Sequence, residues 1–149
     1  GNWELGNNEV GGTALRIASA KVSYGFVQAV ALGVLCNVLV TLAIWLSLAA
    51  HSIAGKAVAV LFPITAFVAA GFEHSIANMY FIPMGLLLKN EDAAVAASGL
   101  STNQLADLTW ADFLVANLVP VTIGNIIGGG GFVALVYYLI YIRGRKRPS

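Results

Sequence analysis

The fold of this chain is decided by one stretch, GFEHSIANMYFIP, from Gly71 to Pro83. It places a carboxylate, Glu73, and an imidazole, His74, between the apolar runs 57–72 and 76–88. A charged side chain at the bilayer centre costs about 2.5–3.5 kcal/mol on insertion scales, so such residues are candidate functional residues. The alternative is that Glu73 and His74 lie in an interfacial turn between two short helices.

The length of this region predicts a broken helix. A helix rises about 1.5 Å per residue, so crossing a hydrocarbon core of about 30 Å takes roughly 20 residues. The segment 57–88 is too long for one straight crossing, and neither half crosses comfortably alone. Gly71 can end the first half, Ser75 can cap the second, and Pro83 disturbs the hydrogen bonds one turn later. Such a break is stable only where it is buried in protein or lines a cavity.

The composition predicts a membrane protein with several spans. The chain has 149 residues, of which 58% are hydrophobic and 10% are charged, whereas a soluble domain carries about 25% charged residues. A basic cluster at the carboxyl end contains Arg143, Arg145, Lys146 and Arg147. The positive-inside rule places that end in the cytoplasm. Cys36 is the single cysteine and is expected to be a packing residue, because it has no cysteine to pair with in the chain.

These patterns divide the chain into segments. We predict a periplasmic loop (1–23), a transmembrane helix (24–50), the broken transmembrane helix (57–88), a periplasmic loop (89–110), a transmembrane helix (113–142) and a cytoplasmic tail (143–149). The first loop includes a short helix near Thr13 to Ser19, and residues 51–56 form a polar turn. Because the chain begins with Gly1 rather than Met, we expect it to be part of a longer protein.

Spacing within these segments predicts helix starts and helix contacts. Ser101 with Gln104, and Thr109 with Asp112, have the spacing of capping boxes. Asn37, Val40 and Thr41 share one face of the helix 24–50, where Asn37 can hold a neighbouring helix or line a pore.

Gly124 and Gly128 have the spacing that lets two helices approach closely. We favour tight packing over a phosphate-binding loop, because no strand, Lys or Ser/Thr in the required order surrounds them.

Two motifs resemble those of the formate/nitrite transporter family. GFEHSIANM (71–79) followed by IPMG (82–85) resembles its second signature, and PVTIGNIIGG (120–129) resembles its last-helix motif. Asn37 falls where the family has an Asn in its fourth helix. The likeness covers essentially the whole chain, and the flanks of the motifs are closest to formate channels.

The resemblance implies an all-α membrane protein with an aquaporin-like fold. That fold consists of two inverted three-helix repeats, and this chain is similar to the second repeat, with its one broken transmembrane helix. The assembly it implies is a homopentamer with one pore in each protomer. The first three helices of the family are absent from this sequence, so the fragment alone should not conduct.

The resemblance also implies which residues form the pore. The pore and anion-binding residues would be His74, Asn37, Phe67 and Val40. The vestibule and supporting residues would be Lys21, Glu73, Ser75, Asn78 and Asn125. In this interpretation His74 is the central pore residue and Asn37 faces it, while Glu73 pairs with Lys21 at the outer vestibule.

The predicted function is transport of formate across the bacterial inner membrane, through a pH-dependent anion channel or a formate/proton symporter. Imidazole has a reference pKa of about 6.5, so His74 can attract an anion when protonated and give up that proton to form a neutral acid. A neutral acid crosses an apolar constriction more easily than an ion does. The expected partners are a small monovalent anion, a proton, membrane lipid and identical subunits, with no cofactor and no nucleic acid.

Other functions are open. Nitrite and hydrosulfide are also small monovalent anions of weak acids and suit the same residues. A hydrolase would need Glu73, His74 and Ser75 within about 2.6–3.2 Å of one another, which consecutive side chains do not reach, so we predict no enzyme. His51 and His74 have no ligands at metal spacing, so we predict no metal site. The alternative from another class is a structural membrane subunit.

Overall fold

The computed structural model describes residues 1–143, and the regular secondary structure of that range is helical. A 3-10 turn (Asn2–Glu4) precedes seven helices in the described chain: α1 (Glu9–Val22), α2 (Phe26–Ala49), α3 (Ile53–Ala69), α4 (Ser75–Leu88), α5 (Asp92–Ser98), α6 (Thr102–Ala106) and α7 (Asp112–Ile142). The helices α2 and α7 are long and apolar enough to cross a membrane. The predicted tail 143–149 lies outside the described residues except for Arg143.

The region between α3 and α4 is the predicted break. It comprises residues 70–74, and Gly71 within it has a φ of +69°. Gly71 N donates to Val68 O at 3.1 Å, and Phe72 N donates to Phe67 O at 3.0 Å. This pair of hydrogen bonds around a left-handed glycine is the Schellman motif, which satisfies the last carbonyls of a helix. The prediction that Gly71 ends the first half-helix is therefore confirmed.

Three parts of the chain differ from the sequence-based assignment. Residues 1–23, predicted mainly as a loop, contain the 14-residue helix α1, whose buried Leu15, Ala18 and Val22 give it one apolar face. The broken region starts at Ile53 instead of 57, because Ser52 Oγ accepts a hydrogen bond from Gly55 N at 3.0 Å and caps α3 inside the predicted polar turn. The loop 89–110 contains two short helices, α5 and α6, rather than one.

The described chain divides into two compact units, and the first combines Gly1–Ala29 with Ser75–Pro120. In this unit α1 packs against α4 and α5. Gly85 on α4 allows the close approach, because a Cβ there would overlap the Cβ of Ala18. The buried apolar side chains that form its core are Leu15, Ala18, Val22, Ile82, Leu88, Ala94, Leu108 and Phe113.

The second unit combines Val30–His74 with the chain from Val121 onward. Here α2 and α7 meet through glycines on α7. A Cβ on Gly124 would overlap Val30 O, and a Cβ on Gly128 would overlap Val34 O. The prediction that these glycines serve tight helix packing is confirmed. Because successive residues of α2 meet successive residues of α7, the two helices run in the same direction.

The helix α7 begins at a capping interaction and contains three π-helical stretches. Thr109 Oγ1 accepts a hydrogen bond from Asp112 N at 3.1 Å and donates one to the Asp112 carboxylate. The backbone is π-helical at Asp112–Leu118, Ile127–Ala134 and Tyr138–Ile142. Pro120 has no N–H to donate within the helix, and the second π-helical stretch contains the four glycines 128–131, which are poor helix formers. The predicted capping box of Ser101 and Gln104 is confirmed, with both of its hydrogen bonds present. At Thr109 the Asp112 carboxylate bonds to the hydroxyl group instead of the backbone N–H of a full capping box.

Candidate functional site

The break in the second unit brings His74 close to Phe67. The His74 side chain is half-buried, and its ring centroid lies 6.0 Å from that of Phe67, with an angle of 34° between the ring planes. Phe67 lies in the last turn of α3, and the Schellman motif at Gly71 turns the chain so that the two rings face each other. Of the predicted pore residues, these two are therefore neighbours.

The backbone of the break is held through Glu73. Glu73 is buried, with 1% of its surface exposed. Its N–H donates to Leu32 O of α2 at 3.4 Å, and its carbonyl accepts from Asn125 Nδ2 of α7 at 3.0 Å. The peptide groups of residue 73 thus connect the segment that carries His74 to both long helices of the unit.

Asn125 is the centre of this hydrogen-bonded network. It is buried, and its Nδ2 also donates to Gly33 O at 2.9 Å. The carbonyl of Asn125 in turn accepts from Asn37 Nδ2 at 2.8 Å. A series of hydrogen bonds therefore runs from α2 through α7 to the break, and Asn125 contributes donors and an acceptor to it. These hydrogen bonds are consistent with the supporting role predicted for Asn125.

Asn37 has a fixed orientation. Its Nδ2 faces a carbonyl oxygen, so the amide cannot be flipped without bringing two acceptors together. Its Oδ1 is buried and receives no hydrogen bond from residues 1–143. Thr41 Oγ1 donates to the Asn37 backbone carbonyl at 2.7 Å. Asn37 therefore links α2 to α7, which was one of the two roles left open by the sequence. Its other predicted role, facing the pore, stays a prediction. The same holds for the predicted pore role of Val40, which is half-buried.

The predicted residues of the first unit form a separate network. Asn78 is fully buried, and its Nδ2 donates to Asn117 Oδ1 at 2.8 Å. Asn117 Nδ2 then donates to the carbonyl of Lys21 at 2.7 Å, and the Lys21 ammonium lies 5.8 Å from the centre of the Phe81 ring. That distance is within the range of a cation–π interaction.

Asn117 was missed as a site residue. The signal that could have identified it is an Asn in an apolar span, since such a side chain is expected to bond to a neighbouring helix. Ser75 is buried and is the first residue of α4, rather than the residue that precedes the helix. The pair of Lys21 and Glu73 stays a prediction. Among residues 1–143 no three His, Cys, Asp or Glu side chains come close enough to hold a metal ion.

The sequence and the structure are similar to those of known proteins. The model of the formate/nitrite transporter family matches residues 3–139. The formate channel FocA of Escherichia coli strain K12 is 43% identical over 145 residues, which are 96% of this chain and 51% of that protein. A probable formate transporter of Methanothermobacter thermautotrophicus is 44% identical over 134 residues, 89% of this chain and 43% of that protein.

A solved structure described as a pentameric formate channel with formate bound is also similar. Its TM-score is 0.84 at 41% identity, and the match covers 95% of this chain and 56% of that one. The chain therefore spans about half the length of the relatives that it matches.

Proposed function

The chain belongs to the formate/nitrite transporter family and has its fold, and from this premise we propose that this membrane protein forms the carboxyl-terminal half of a channel for formate. The observation that carries the proposal is the half-buried His74 beside Phe67, in a break held by Asn125. Relatives named as formate channels are 43% identical to the chain, which supports formate as the permeant anion.

The chemistry of the proposal concerns the charge of the permeant species. An anion that leaves water for an apolar constriction loses its hydration, which costs many kcal/mol unless the charge is neutralised. A protonated His74 attracts formate, and transfer of the proton from the imidazole to the carboxylate yields neutral formic acid. This transfer leaves a neutral imidazole, and a proton taken up from water regenerates the imidazolium. Phe67, beside His74, and Val40 form the apolar constriction that makes this neutralisation useful.

The start of α4 supports the same role for His74. The residue directly after His74 is Ser75, the first residue of α4. A helix N-terminus carries the equivalent of about half a positive charge, which favours an anion. Lys21 supplies a full positive charge to the proposed vestibule, and its pairing with Glu73 belongs to the same proposal.

The distribution of charge supports an orientation in the bacterial inner membrane. Six of the seven acidic residues lie in the first unit, and Glu73 is the one in the second. Five of the eight basic residues belong to the second unit, namely Lys56, Arg143, Arg145, Lys146 and Arg147. By the positive-inside rule we propose that the carboxyl end lies in the cytoplasm and the acidic segment 89–110 in the periplasm.

Exposed apolar surface supports a larger assembly. The helix α3 leaves large side chains exposed along its length, including Ile53 at 89% and Phe62 at 69%. In the proposed channel this surface meets lipid, the other half of the protomer or neighbouring copies. The similar solved structure is described as a pentameric channel, and we propose the same assembly for this protein.

The proposed function is tested by flux into liposomes that contain the full-length protein. Formate, nitrite and hydrosulfide are compared at several pH values, with protein-free liposomes as the control. The expected result is formate flux that changes as pH passes through the imidazole range. A clear preference for nitrite or hydrosulfide would support a channel with a substrate other than formate. The absence of flux for all of these anions would favour a structural subunit.

A further inference from the structure

Lys21, the cation of the proposed vestibule, is held at its backbone by Asn117. Lys21 lies in the last turn of α1, and its carbonyl accepts a hydrogen bond from Asn117 Nδ2 of α7 at 2.7 Å. The last four carbonyls of a helix have no partner within that helix and need one from elsewhere. Here the donor is a fully buried side chain of another helix, so α7 fixes the position of the end of α1.

The same amide connects Lys21 to α4. Asn117 Oδ1 accepts a hydrogen bond from Asn78 Nδ2 at 2.8 Å, and Asn78 lies in the first turn of α4. The oxygen and the nitrogen of the Asn117 side chain thus have partners on two different helices. Because these partners set the orientation of the amide, Asn117 cannot turn without breaking a buried hydrogen bond.

The ammonium end of Lys21 contacts a second residue of α4. The Lys21 Nζ lies 5.8 Å from the centre of the Phe81 ring, which is within the range of a cation–π interaction. Phe81 follows Asn78 by three residues, so the two side chains lie on one face of α4. That face therefore holds the charged end of Lys21 directly, and it holds the Lys21 backbone through Asn117. All four residues belong to the first unit.

We propose that Asn117 and Phe81 are positioning residues for Lys21, and that they hold its positive charge where the permeant anion is collected. A Lys side chain is flexible, so its charge occupies many positions unless contacts select one. A charge held in one place raises the local concentration of an anion at that place. The inference rests on the proposed function, because it requires Lys21 to act on the anion. The alternative is that Asn117 caps α1 for stability alone.

The first test replaces Asn117 by Leu in the full-length protein. Leu has a similar branched shape, but its methyl groups can neither donate to Lys21 O nor accept from Asn78 Nδ2. In liposomes we expect the half-saturating formate concentration to rise by about threefold or more, as for displacement of one charge near the anion, with a similar maximal flux. Asn103→Leu, at an exposed position of α6, is the control and should leave both values unchanged.

A double-mutant cycle separates positioning from stability. In a protein that already carries Lys21→Gln, the carbonyl of residue 21 is still present, so Asn117→Leu should lower the unfolding temperature as it does in the wild type. Its effect on the half-saturating formate concentration should vanish, because no charge is left to position. An equally large rise in both backgrounds would overturn the proposal, since a positioning residue acts through the residue that it positions.

A second measurement does not require flux. It is the rate at which an amine-reactive ester modifies Lys21, determined by mass spectrometry relative to the exposed Lys56. Loss of the cation–π contact in Phe81→Leu should raise this rate by about two- to fivefold, and Asn117→Leu should raise it as well. Phe26→Leu, which replaces an exposed ring of α2, is the control and should leave the rate unchanged.

Two further results would overturn the proposal. The first is unchanged modification of Lys21 in both Asn117→Leu and Phe81→Leu. The second is faster modification with an unchanged half-saturating formate concentration, because Lys21 would then be positioned without acting on the anion. The absence of formate flux in the wild-type protein would contradict the proposed function instead, and the modification rates would still show whether Asn117 and Phe81 hold Lys21.

Discussion

His74 and His51 are the two histidines of the chain, and they lie in different surroundings. His74 is half-buried beside Phe67 in the break, whereas His51 is exposed in the short connection between α2 and α3. Two imidazoles with the same intrinsic chemistry thus provide a comparison between a proposed pore position and a surface position.

Replacing His74 by Phe is predicted to remove the pH dependence of transport. Imidazole is increasingly protonated below its reference pKa of about 6.5, so the proposed mechanism expects formate flux to increase as pH falls through that range. Phe retains an aromatic ring but cannot carry the proton. The measurement is formate flux in liposomes between pH 5 and pH 8, roughly the range in which imidazole titrates. His51→Phe is the control and should keep the wild-type profile. A His74→Phe protein with the wild-type profile would contradict the mechanism.

Replacing Asn125 by Asp is predicted to destabilise the break. Asn125 Nδ2 donates to Gly33 O and Glu73 O, at 2.9 and 3.0 Å. Asp has nearly the same shape but puts an oxygen where the donor was. Leaving buried acceptors without donors costs about 1–3 kcal/mol, so the thermal unfolding temperature in detergent should fall.

The control for this change is Asn103→Asp, the same replacement at an exposed position of α6. Its unfolding temperature should stay close to that of the wild type. Equal unfolding temperatures for the two variants would show that the hydrogen bonds of Asn125 contribute no stability.

At single positions, the sequence indicated which residues are functional candidates better than it indicated what those residues contact. A titratable residue inside an apolar run is visible in sequence, which is why His74 could be selected. The hydrogen bond between Asn37 and Asn125 depends on how α2 and α7 are aligned, and it joins residues 88 positions apart. Local spacing contains no information on such an alignment. Gly33 and Leu32 act through backbone carbonyls, which no residue type reveals.

Helix ends were predictable where a local motif specifies them. Gly71 could be identified because the left-handed backbone conformation at a helix end favours glycine. The capping box at Ser101 could be identified because its residue spacing is specific. The start of α3 was placed four residues late, because Lys56 was interpreted as part of a polar turn while the cap is made by Ser52. The helix α1 was underestimated because its apolar face is short and contains Gly11 and Gly12.

The close packing of α2 against α7 is predicted to depend on the absence of side chains at Gly124 and Gly128. A methyl group at Gly128 would overlap Val34 O, which is backbone and cannot rotate away. Gly128→Ala should lower the stability by about 1–3 kcal/mol through overpacking, measured as the free energy of unfolding in mixed micelles.

Gly130 provides the matched control on the same helix, since a Cβ there meets no atom within 4 Å. Gly130→Ala should be neutral or stabilising by up to about 1 kcal/mol, because Ala is a better helix former than Gly. A Gly128→Ala protein as stable as Gly130→Ala would contradict the packing described for α7.

For the whole molecule, the proposed orientation can be tested by cysteine labelling. His51 and Asn103 are both exposed, and the native Cys36 is buried and gives little background. In intact spheroplasts a membrane-impermeant maleimide should label Asn103→Cys, in the segment proposed to be periplasmic, but not His51→Cys. After permeabilisation both should react. Labelling of His51→Cys in sealed spheroplasts would reverse the orientation.

The shared direction of α2 and α7 limits what the chain between them can do. In the proposed topology the chain leaves the membrane after Ala49 and re-enters before Asp112 in the same direction, so it has to return between these residues, which requires an odd number of crossings. The apolar length available between these residues is α3 and α4, enough for one. Residues 50–111 can therefore change in sequence and in loop length, but the gain or loss of a single crossing would invert α7 and with it every contact described for Asn125. Parity, rather than any one side chain, is the feature of that segment that cannot vary.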